Sequence, residues 1–511
     1  MRIRNPWSPF VVFACGALAA ACDDDASNGT VDWTYDAGVD AGTGTGLETY
    51  TTATTTSGGI ISVPPQDTSS EYDTAGDAGG RWDDGGDGRS DTSSTSTHTA
   101  TTEADDTTAQ GDAGLTGSTS EPDVAVTDTT PDESSVPDAD VPDAQVYVPD
   151  GGVLRPTELG FQEGYLEQLS VPDGFQVQVF ATPGGRTRML AEHGGSIYVT
   201  RPDQGDVLRL ADANDDGLAE VIQSVTSGYP LIHGIAFDGD TVYLATPKQV
   251  LRGTVAGDGS FGALETLFDD LPDGGQHPLR TLGIGPDGLL YISVGSTCDA
   301  CVESNPENAT LLQVSQDGAT RTIFASGLRN TLGFDWHPDT NELWGVDNGS
   351  DWRGNDLPPE ELNRIESGND YGWPYCYAKQ VVDPIIADPE NTTKAEYCVG
   401  TTPSVLENQA HEAPIALTFY EGLTFPEAYQ GDAFVAMRGS WNRIPATGYK
   451  IARVVFDNGQ PVTIEDFVTG FLNAEGLATF ARPAGITVDA QGALLFSDDS
   501  NGVIYRVTAV P

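Results

Sequence analysis

The chain has 511 residues, and its 77 acidic side chains against 24 Lys and Arg give a formal net charge of −53. A surface this acidic repels phosphate backbones, which argues against nucleic acid as a partner. The first third is poor in apolar residues and rich in Asp, Thr, Ser and Gly, whereas the remainder has an ordinary globular composition. One large folded domain behind a long tail fits this distribution.

The first 21 residues are typical of an export signal. Arg2 and Arg4 precede a short apolar run at residues 10–21, which is too short to span a bilayer comfortably. Small residues then precede Cys22, and three aspartates follow it. Because this order resembles a bacterial lipobox, we predict that residues 1–21 are a lipoprotein signal peptide and that Cys22 carries the lipid. The chain would then be exported and held at the cell envelope through its lipid anchor alone. A plain signal peptide is the alternative.

Residues 22–155 contain runs of Thr and Ser and repeated Pro-Asp and Asp-Ala pairs, with no sustained period of 2 or 3.6. Such a segment cannot bury enough apolar surface to offset the entropy lost on ordering. We therefore predict a disordered, acidic tether that holds the following domain away from the membrane.

From residue 156 a short unit recurs, in which a Gly or Asp turn leads into alternating apolar residues. These first runs lie at residues 195–199, 240–244, 287–292, 341–346, 431–435 and 491–496. Each unit has a second run downstream, often with Arg before an apolar residue, at residues 207–210, 250–252, 311–314, 362–365, 451–454 and 504–507. Alternation indicates strands. Paired strands that recur every roughly 45–55 residues are typical of propeller blades, so we predict an all-β, six-bladed β-propeller over residues 156–511.

Four cysteines lie in the predicted propeller, and an exported protein meets an oxidising compartment, so disulfides are expected. Cys298 with Cys301 and Cys376 with Cys398 is the favoured pairing. A four-cysteine zinc site is the less favoured alternative, and Val302 in place of His excludes c-type haem attachment.

Two short loops before predicted strands carry side chains suited to chemistry. His277 lies in a Gly-containing loop and could act as a general base, although a turn histidine with structural hydrogen bonds fits equally well. Arg329 and Asn330 are adjacent and suit an anionic ligand with carbonyl groups, whereas an ordinary surface ion pair is the alternative for the arginine. Arg438 and Arg482 lie next to other predicted strands and add further positive charge.

An oxygen-rich loop follows the first run of the fourth unit, and the interval from this run to the next first run is nearly twice the usual length. Long loops in a regular propeller are usually functional. Its candidate ligands for calcium are Asp347, Asn348, Asp351, Gly354, Asn355 and Asp356. In so acidic a chain, a solvated acidic loop is the alternative.

A second candidate calcium loop is independent of the first. Asp212, Asn214 and Asp216 match the early positions of a calcium-binding loop, but Gln223 stands where the bidentate Glu is expected. A simple Asp/Gly turn is the favoured alternative.

Several stretches match, in order, the motifs of a known family. They are His277 with residues 285–288, then residues 327–330, residues 371–374, the run from 411 to 443, and residues 482–483 with 497–499. These stretches resemble the glucose/sorbosone dehydrogenase family over residues 165–508. The Gly-Ser-Trp-Asn-Arg run and the Cys-x-x-Cys pair are more similar to its sorbosone branch.

This resemblance implies a six-bladed propeller that binds pyrroloquinoline quinone and calcium and oxidises a sugar or a sugar aldehyde. His277 would be the general base, taking the hydroxyl proton while hydride passes to the quinone. Arg329 and Asn330 would bind the cofactor's carbonyl and carboxylate oxygens, and Arg438 and Arg482 would also contact the cofactor.

The resemblance places calcium in the loop at residues 347–356, held largely through backbone oxygens. Gln276 stands where the glucose branch has Asp beside the base. A small-molecule sugar would be the substrate, and electrons would pass to an acceptor that the sequence does not identify. The alternative function is a non-catalytic cell-surface propeller that binds carbohydrate or protein.

Overall fold

The computed structural model describes residues 155–272 and 275–510. The predicted signal peptide, Cys22 and all but the last residue of the predicted tether lie outside these ranges. Within them, the structure forms six four-stranded antiparallel sheets, which confirms the all-β, six-bladed propeller. None of the described helices is long and apolar enough to cross a membrane.

Two strands and a short 3-10 helix (Glu163–Gln168) precede the first complete blade. The strands are β1 (Thr157–Glu158) and β2 (Phe175–Ala181). Blade I comprises β3 (Leu190–His193), β4 (Ser196–Arg201), β5 (Asp206–Ala211) and β6 (Val221–Ser227). Blade II comprises β7 (Gly234–Asp238), β8 (Thr241–Ala245), β9 (Val250–Thr254) and β10 (Glu265–Phe268). Blade III comprises β11 (Leu282–Ile284), β12 (Leu290–Val294), β13 (Thr310–Val314) and β14 (Arg321–Ser326).

The second half of the ring repeats this order and contains one large insertion. Blade IV comprises β15 (Thr331–Trp336), β16 (Leu343–Asp347), β17 (Glu360–Arg364) and β20 (Leu406–Asn408). An insertion between β17 and β20 contains β18 (Cys376–Tyr377), β19 (Val381–Val382) and α1 (Lys394–Val399). Blade V comprises β21 (Pro414–Phe419), β22 (Ala433–Met437), β23 (Lys450–Asp457) and β24 (Gln460–Val468), with a 3-10 turn at Glu427–Tyr429. After β25 (Ala478–Thr479), blade VI comprises β26 (Pro483–Val488), β27 (Leu494–Asp498), β28 (Val503–Ala509) and β2.

The insertion in blade IV is the segment that nearly doubles one interval of the sequence repeat. A disulfide between Cys376 and Cys398 joins its hairpin to α1. Helix α1 begins with a capping box, in which Thr393 and Glu396 each accept the other's backbone N–H. The second disulfide joins Cys298 to Cys301. Both pairings are those that the sequence favoured, so these cysteines are not available as zinc ligands.

The repeat in the sequence comes from the second and third strands of each blade. In four blades an aromatic residue on the second strand lies opposite an arginine on the third, as in Tyr198–Arg209, Tyr243–Arg252, Trp344–Arg364 and Phe434–Arg453. The four aromatic rings are buried, and three of the four arginines form an ion pair, with Glu265, Glu342 or Asp432. Arg453, for example, donates from Nε to Asp432 at 2.6 Å.

Closure of the ring depends on β2. This strand precedes blade I in the chain but pairs antiparallel with β28, from Phe175 opposite Ala509 to Ala181 opposite Ile504. The first strands of neighbouring blades also approach closely at positions where a glycine leaves no side chain between them. A Cβ atom on Gly485 would lie 2.1 Å from the carbonyl oxygen of Arg188. These contacts fix the spacing between blades and hence the width of the centre.

Phe175 should be the critical side chain of this closure. It is 8% exposed and packs edge-to-face on Phe425, Tyr429 and Phe467 of blade V, with ring centroids 4.7 to 5.2 Å apart. Phe175→Ala should lower the free energy of unfolding by about 3–5 kcal/mol in a denaturant titration, because it leaves a cavity. Leu423→Ala, at a side chain 93% exposed, is the control and should change it by about 0.5 kcal/mol or less. Equal effects of the two substitutions would contradict this account.

Candidate active site

A cavity of about 450 Å³ lies at one end of the blades. Its lining segments either precede a first strand or follow a second strand, and in an antiparallel sheet these two positions are side by side. The segments are residues 186–188, 276–279, 329–332, 348–352, 411–415 and 438–442. Four of the six blades (I, III, IV and V) contribute directly, so the cavity exists only when the ring is assembled.

His277 presents one ring nitrogen to this cavity. Its Nδ1 lies 2.8 Å from the carbonyl oxygen of Ser296 and 2.9 Å from the Ser296 hydroxyl. Because a carbonyl oxygen can only accept, Nδ1 carries the proton and Nε2 keeps its lone pair. Burial, and then the Arg329 guanidinium, lower the pKa of His277 from 6.5 to about 4. The imidazole is therefore neutral at neutral pH and can accept a proton at Nε2.

Gly295 shows how closely His277 and Asn330 approach. A Cβ atom built on Gly295 would lie 2.6 Å from Cβ of His277 and 2.7 Å from Oδ1 of Asn330. Only glycine leaves room for both side chains at this point. The structure thus brings His277 together with the Arg329–Asn330 pair, three of the residues that the sequence singled out.

The Arg329 guanidinium group is held rigidly at the cavity wall. Nε and Nη2 donate to the carbonyl oxygen and Oδ1 of Asp299 at 2.8 and 2.9 Å, and Nη1 donates to the carbonyl oxygen of Asn348 at 3.2 Å. The backbone N–H groups of Arg329 and Asn330 donate to the two carboxylate oxygens of Asp347. The carboxylate of Asp347, one of the predicted calcium ligands, therefore faces backbone donors and does not line the cavity.

The other predicted calcium ligands divide into two groups. Asn348 and Asp351 line the cavity. The Asn348 amide nitrogen donates to the carbonyl oxygens of Asn330 and Pro414 at 3.0 and 2.8 Å, which directs its side-chain oxygen the other way.

Gly354, Asn355 and Asp356 lie apart from the cavity and fasten the loop to its neighbours. The carbonyl oxygen of Gly354 lies 2.8 Å from His411 Nε2. Asn355 exchanges two hydrogen bonds with the backbone of Ile444, and Asp356 pairs with Arg443 at 2.8 Å. The structure gives these three residues an anchoring position.

Three arginines meet one carboxylate on another wall. Arg188 Nη1 and Arg438 Nε each lie 2.6 Å from Oδ2 of Asp499, and Arg186 Nε lies 3.6 Å from it. Burial alone would raise the pKa of Asp499, but Arg438 and Arg188 hold that pKa well below its usual range. Burial lowers the pKa of Arg188 to about 10, so it stays protonated at neutral pH. Arg186 also pairs with Asp203 at 3.5 Å, so three positive charges face two negative charges, and the remaining positive charge makes this wall a site for anions.

Arg186 and Arg188 escaped the sequence interpretation. They lie just before the first strand of blade I, as His277 and Arg329 do in blades III and IV, so aligning the blades would have found them. Arg188 Nε is buried and has no hydrogen-bond partner among the described residues. Glu360 ends the oxygen-rich loop but was not among its candidate ligands. It lines the cavity and accepts from the backbone N–H groups of Gly349 and Ala413, and burial raises its pKa to about 8.

Arg482 does not line this cavity. It faces an adjoining cavity of about 310 Å³ that shares only Arg438 and Trp441 with the first. Its Nη2 donates to the carbonyl oxygen of Gly439 at 2.9 Å, and its Nη1 lies 3.4 Å from Glu158. Of the four predicted cofactor-binding residues, the structure brings three into the cavity of His277 and places Arg482 behind Arg438.

The second candidate calcium loop lies away from the cavity. The carboxylates of Asp212, Asp216 and Glu220 are close enough to share one ion. Asn214 instead donates its amide nitrogen to Glu220 at 2.7 Å, and Asp212 accepts from the backbone of Gly217 at 2.7 Å. The carboxylates thus close a compact turn by themselves.

The chain belongs to the TrAA12-like family, whose model matches residues 169–510. This match confirms the resemblance to glucose/sorbosone dehydrogenases at the level of the family. An uncharacterized protein of Borreliella burgdorferi is 28% identical over 361 residues, covering 66% of this chain and 90% of its own length. A pyrroloquinoline quinone-dependent sugar dehydrogenase of Hypocrea jecorina is 26% identical over 398 residues, covering 65% of this chain and 87% of its own length.

A solved structure shares the fold. The calcium structure of the Trichoderma reesei family AA12 carbohydrate-active enzyme superposes with a TM-score of 0.59 at 23% identity, covering 69% of this chain and 100% of the other. At this identity the likeness shows the arrangement of blades.

Gly295→Ala tests the packing between His277 and Asn330. The added methyl group should push both side chains apart, because each lies within 2.7 Å of its position. The NMR titration of His277 should then move from about pH 4 toward 6.5 as the imidazole becomes hydrated. Gly257→Ala, where nothing lies within 4 Å, is the matched control and should leave the titration unchanged. An unaltered His277 titration in the first variant would refute this packing.

Proposed function

We propose that this protein is a sugar oxidoreductase that oxidises a sugar or sugar aldehyde with pyrroloquinoline quinone and calcium. The observation that carries the proposal is the neutral His277, which faces the cavity together with Arg329, Asn330 and the arginine-rich wall. The family and the quinone-dependent sugar dehydrogenase of Hypocrea jecorina support it. If Cys22 is lipidated as the sequence predicts, the oxidation takes place outside the cytoplasm.

The donors around the cavity fit an anionic quinone. Arg186, Arg188 and Arg438 carry three positive charges. Asp499 and Asp203 supply two negative charges, and a ligand carboxylate would balance the excess. The buried Nε of Arg188 lacks a partner among the described residues, and such an atom is costly unless a ligand engages it. Asn330 adds an amide that can meet a carbonyl oxygen.

Calcium fits the oxygen atoms of the loop after β16. Asn348 and Asp351 line the cavity, and a carboxylate with amide and carbonyl oxygens is the donor set that calcium prefers. When bound, the quinone supplies an electron-pair acceptor that the side chains lack, and calcium polarises its carbonyl groups.

The protein's own part in the reaction is to position groups and to move a proton. His277 Nε2 accepts the hydroxyl proton of the sugar, and the Ser296 carbonyl stabilises the charged imidazole through Nδ1–H. Arg329 is held at three nitrogens and keeps its position without reorganisation. Trp352 and Trp441, edge-to-face at 5.3 Å, provide apolar walls against which a sugar ring can pack.

The decisive experiment is reconstitution of the purified protein with quinone and calcium, followed by reduction of an artificial acceptor with a panel of aldoses. His277→Gln should bind the quinone normally but lower kcat by about 10²–10⁴-fold, since general base catalysis contributes that much. His193→Gln, outside the cavity, is the control. Chelation of calcium should abolish turnover, and added calcium should restore it. Sugar binding without turnover in the reconstituted wild-type protein would instead favour the non-catalytic propeller.

The acid limb of the pH profile follows from the low pKa of His277. The base acts only when neutral, and burial with Arg329 lowers its pKa to about 4, so kcat should not fall on account of His277 until the pH approaches 4. Below that value kcat should drop about tenfold per pH unit. The measurement is kcat from pH 3.5 to 8, with circular dichroism confirming the fold at each point. An acid limb centred near 6.5 would show that His277 is not the buried base described here.

A further inference from the structure

Asp299 lies in the smallest covalent ring of the structure, the four residues that the Cys298–Cys301 disulfide closes. The ring follows β12 of blade III, and its Asp299 contacts Arg329 and Asp351, both of which line the cavity. A disulfide over so short a span restricts the backbone between its two cysteines. Asp299 is therefore presented from a constrained position, unlike a carboxylate on an ordinary loop.

Both the backbone and the side chain of Asp299 are used. Its carbonyl oxygen accepts from Arg329 Nε at 2.8 Å and from the Ser350 hydroxyl at 3.3 Å. Its Oδ1 accepts from Arg329 Nη2 at 2.9 Å and from the backbone N–H of Asp351 at 2.6 Å. Its Oδ2 lies 3.7 Å from Arg353 Nη1. One residue of blade III thus holds the arginine that precedes β15 and the loop that follows β16.

The same ring also supports the histidine. The Ser296 hydroxyl donates to the carbonyl oxygen of Cys298 at 2.8 Å, and Ser296 is the partner of His277 Nδ1. The ring therefore contacts Arg329 directly and contacts His277 through one intervening residue, Ser296.

Arg329 depends on these contacts because its side chain is only 3% exposed. Replacing Asp299 with alanine would remove the hydrogen bond from Arg329 Nη2 and the nearest counter-charge. Arg329 would keep the backbone carbonyl oxygens of residues 299 and 348, and Asp351 at 3.3 Å. A buried guanidinium group that loses its partners moves toward other acceptors. The loop at residues 348–351 would be released at the same time.

We propose that Asp299 is a positioning residue, which uses the disulfide-closed ring to fix Arg329 and the loop at residues 348–351 against the cavity. Its effect on catalysis rests on the proposed function, whereas its effect on the loop does not. Asp299 touches neither substrate nor cofactor in this scheme; it acts through Arg329 and Asp351.

The first test measures the loop without any ligand. Hydrogen exchange by mass spectrometry on peptides covering residues 348–353 should show slow exchange in the wild-type protein. Asp299→Ala should speed it at least tenfold, because the Asp351 N–H loses its acceptor. Asp299→Asn keeps an oxygen acceptor at this position and should restore most of the protection. This exchange measurement tests the role of Asp299 even if the protein proves not to be a dehydrogenase.

The second test measures the consequence for the site. Asp299→Ala should weaken quinone binding about 10–100-fold, the usual effect of removing a residue that orients a ligating group, while Asp299→Asn should recover part of it. With saturating quinone, the sugar KM should change less than kcat. The readouts are the absorption of the bound quinone and steady-state kinetics.

Asp489→Ala is the matched control. Asp489 also pairs with an arginine, Arg506 at 2.9 Å, and accepts a backbone N–H, from Ala493 at 2.7 Å, but in blade VI away from the cavity. It should leave loop exchange and quinone affinity unchanged. If Asp299→Ala does not fold, the double variant Cys298→Ser/Cys301→Ser opens the ring while keeping Asp299, and should speed loop exchange in the same direction. Wild-type exchange and quinone affinity in a folded ring variant would overturn the proposal.

Discussion

The pairing of β2 with β28 is the interaction on which the rest of the structure depends. Each blade is a meander that could form from local hairpins, but the cavity needs loops from four blades at a fixed radius. The ring reaches that radius only when β2, which precedes blade I in the chain, pairs with β28 of blade VI. Long-range pairing of this kind is entropically costly, and the aromatic cluster around Phe175 provides apolar burial that offsets the cost.

Given a closed ring, the site is built by burying guanidinium groups next to carboxylates from other blades. Arg329 of blade IV meets Asp299 of blade III, and Arg188 of blade I meets Asp499 of blade VI. A buried charge without a partner would cost several kcal/mol, so each pair also constrains the two blades relative to one another. Binding and stability are consequently coupled, because the arginines that would bind an anion also join the blades.

The sequence predicted the second and third strand of every blade, because these are buried on both faces and show clear alternation. It did not predict the first and fourth strands. The first strand β11 is only three residues long, and the fourth strand β6 has no buried residue, so neither has a readable period. The predicted export led us to expect disulfides and the sequence favoured this pairing, but the connectivity itself comes from the structure.

For the site, His277, Arg329, Asn330 and Arg438 could be chosen from residue type and position beside a strand. What the sequence could not indicate is the direction of each side chain. Asp347 and Asp351 look alike as acids of one loop, yet the first accepts from backbone N–H groups and the second lines the cavity. Arg482 lies beside a first strand like the others, but the carbonyl oxygen of Gly439 turns its guanidinium group away.

The closing strand also determines how the chain could be rewired. Phe175 and Ala509 are directly paired, so the two ends of the propeller lie side by side in one blade. A short linker could join them, and new termini could be opened at the turn between β7 and β8 or at any other connection on the side opposite the cavity. Circular permutants of this kind would replace a non-covalent closure with a covalent one and keep every loop that lines the cavity. An electron-carrying partner could then be fused at a chosen blade.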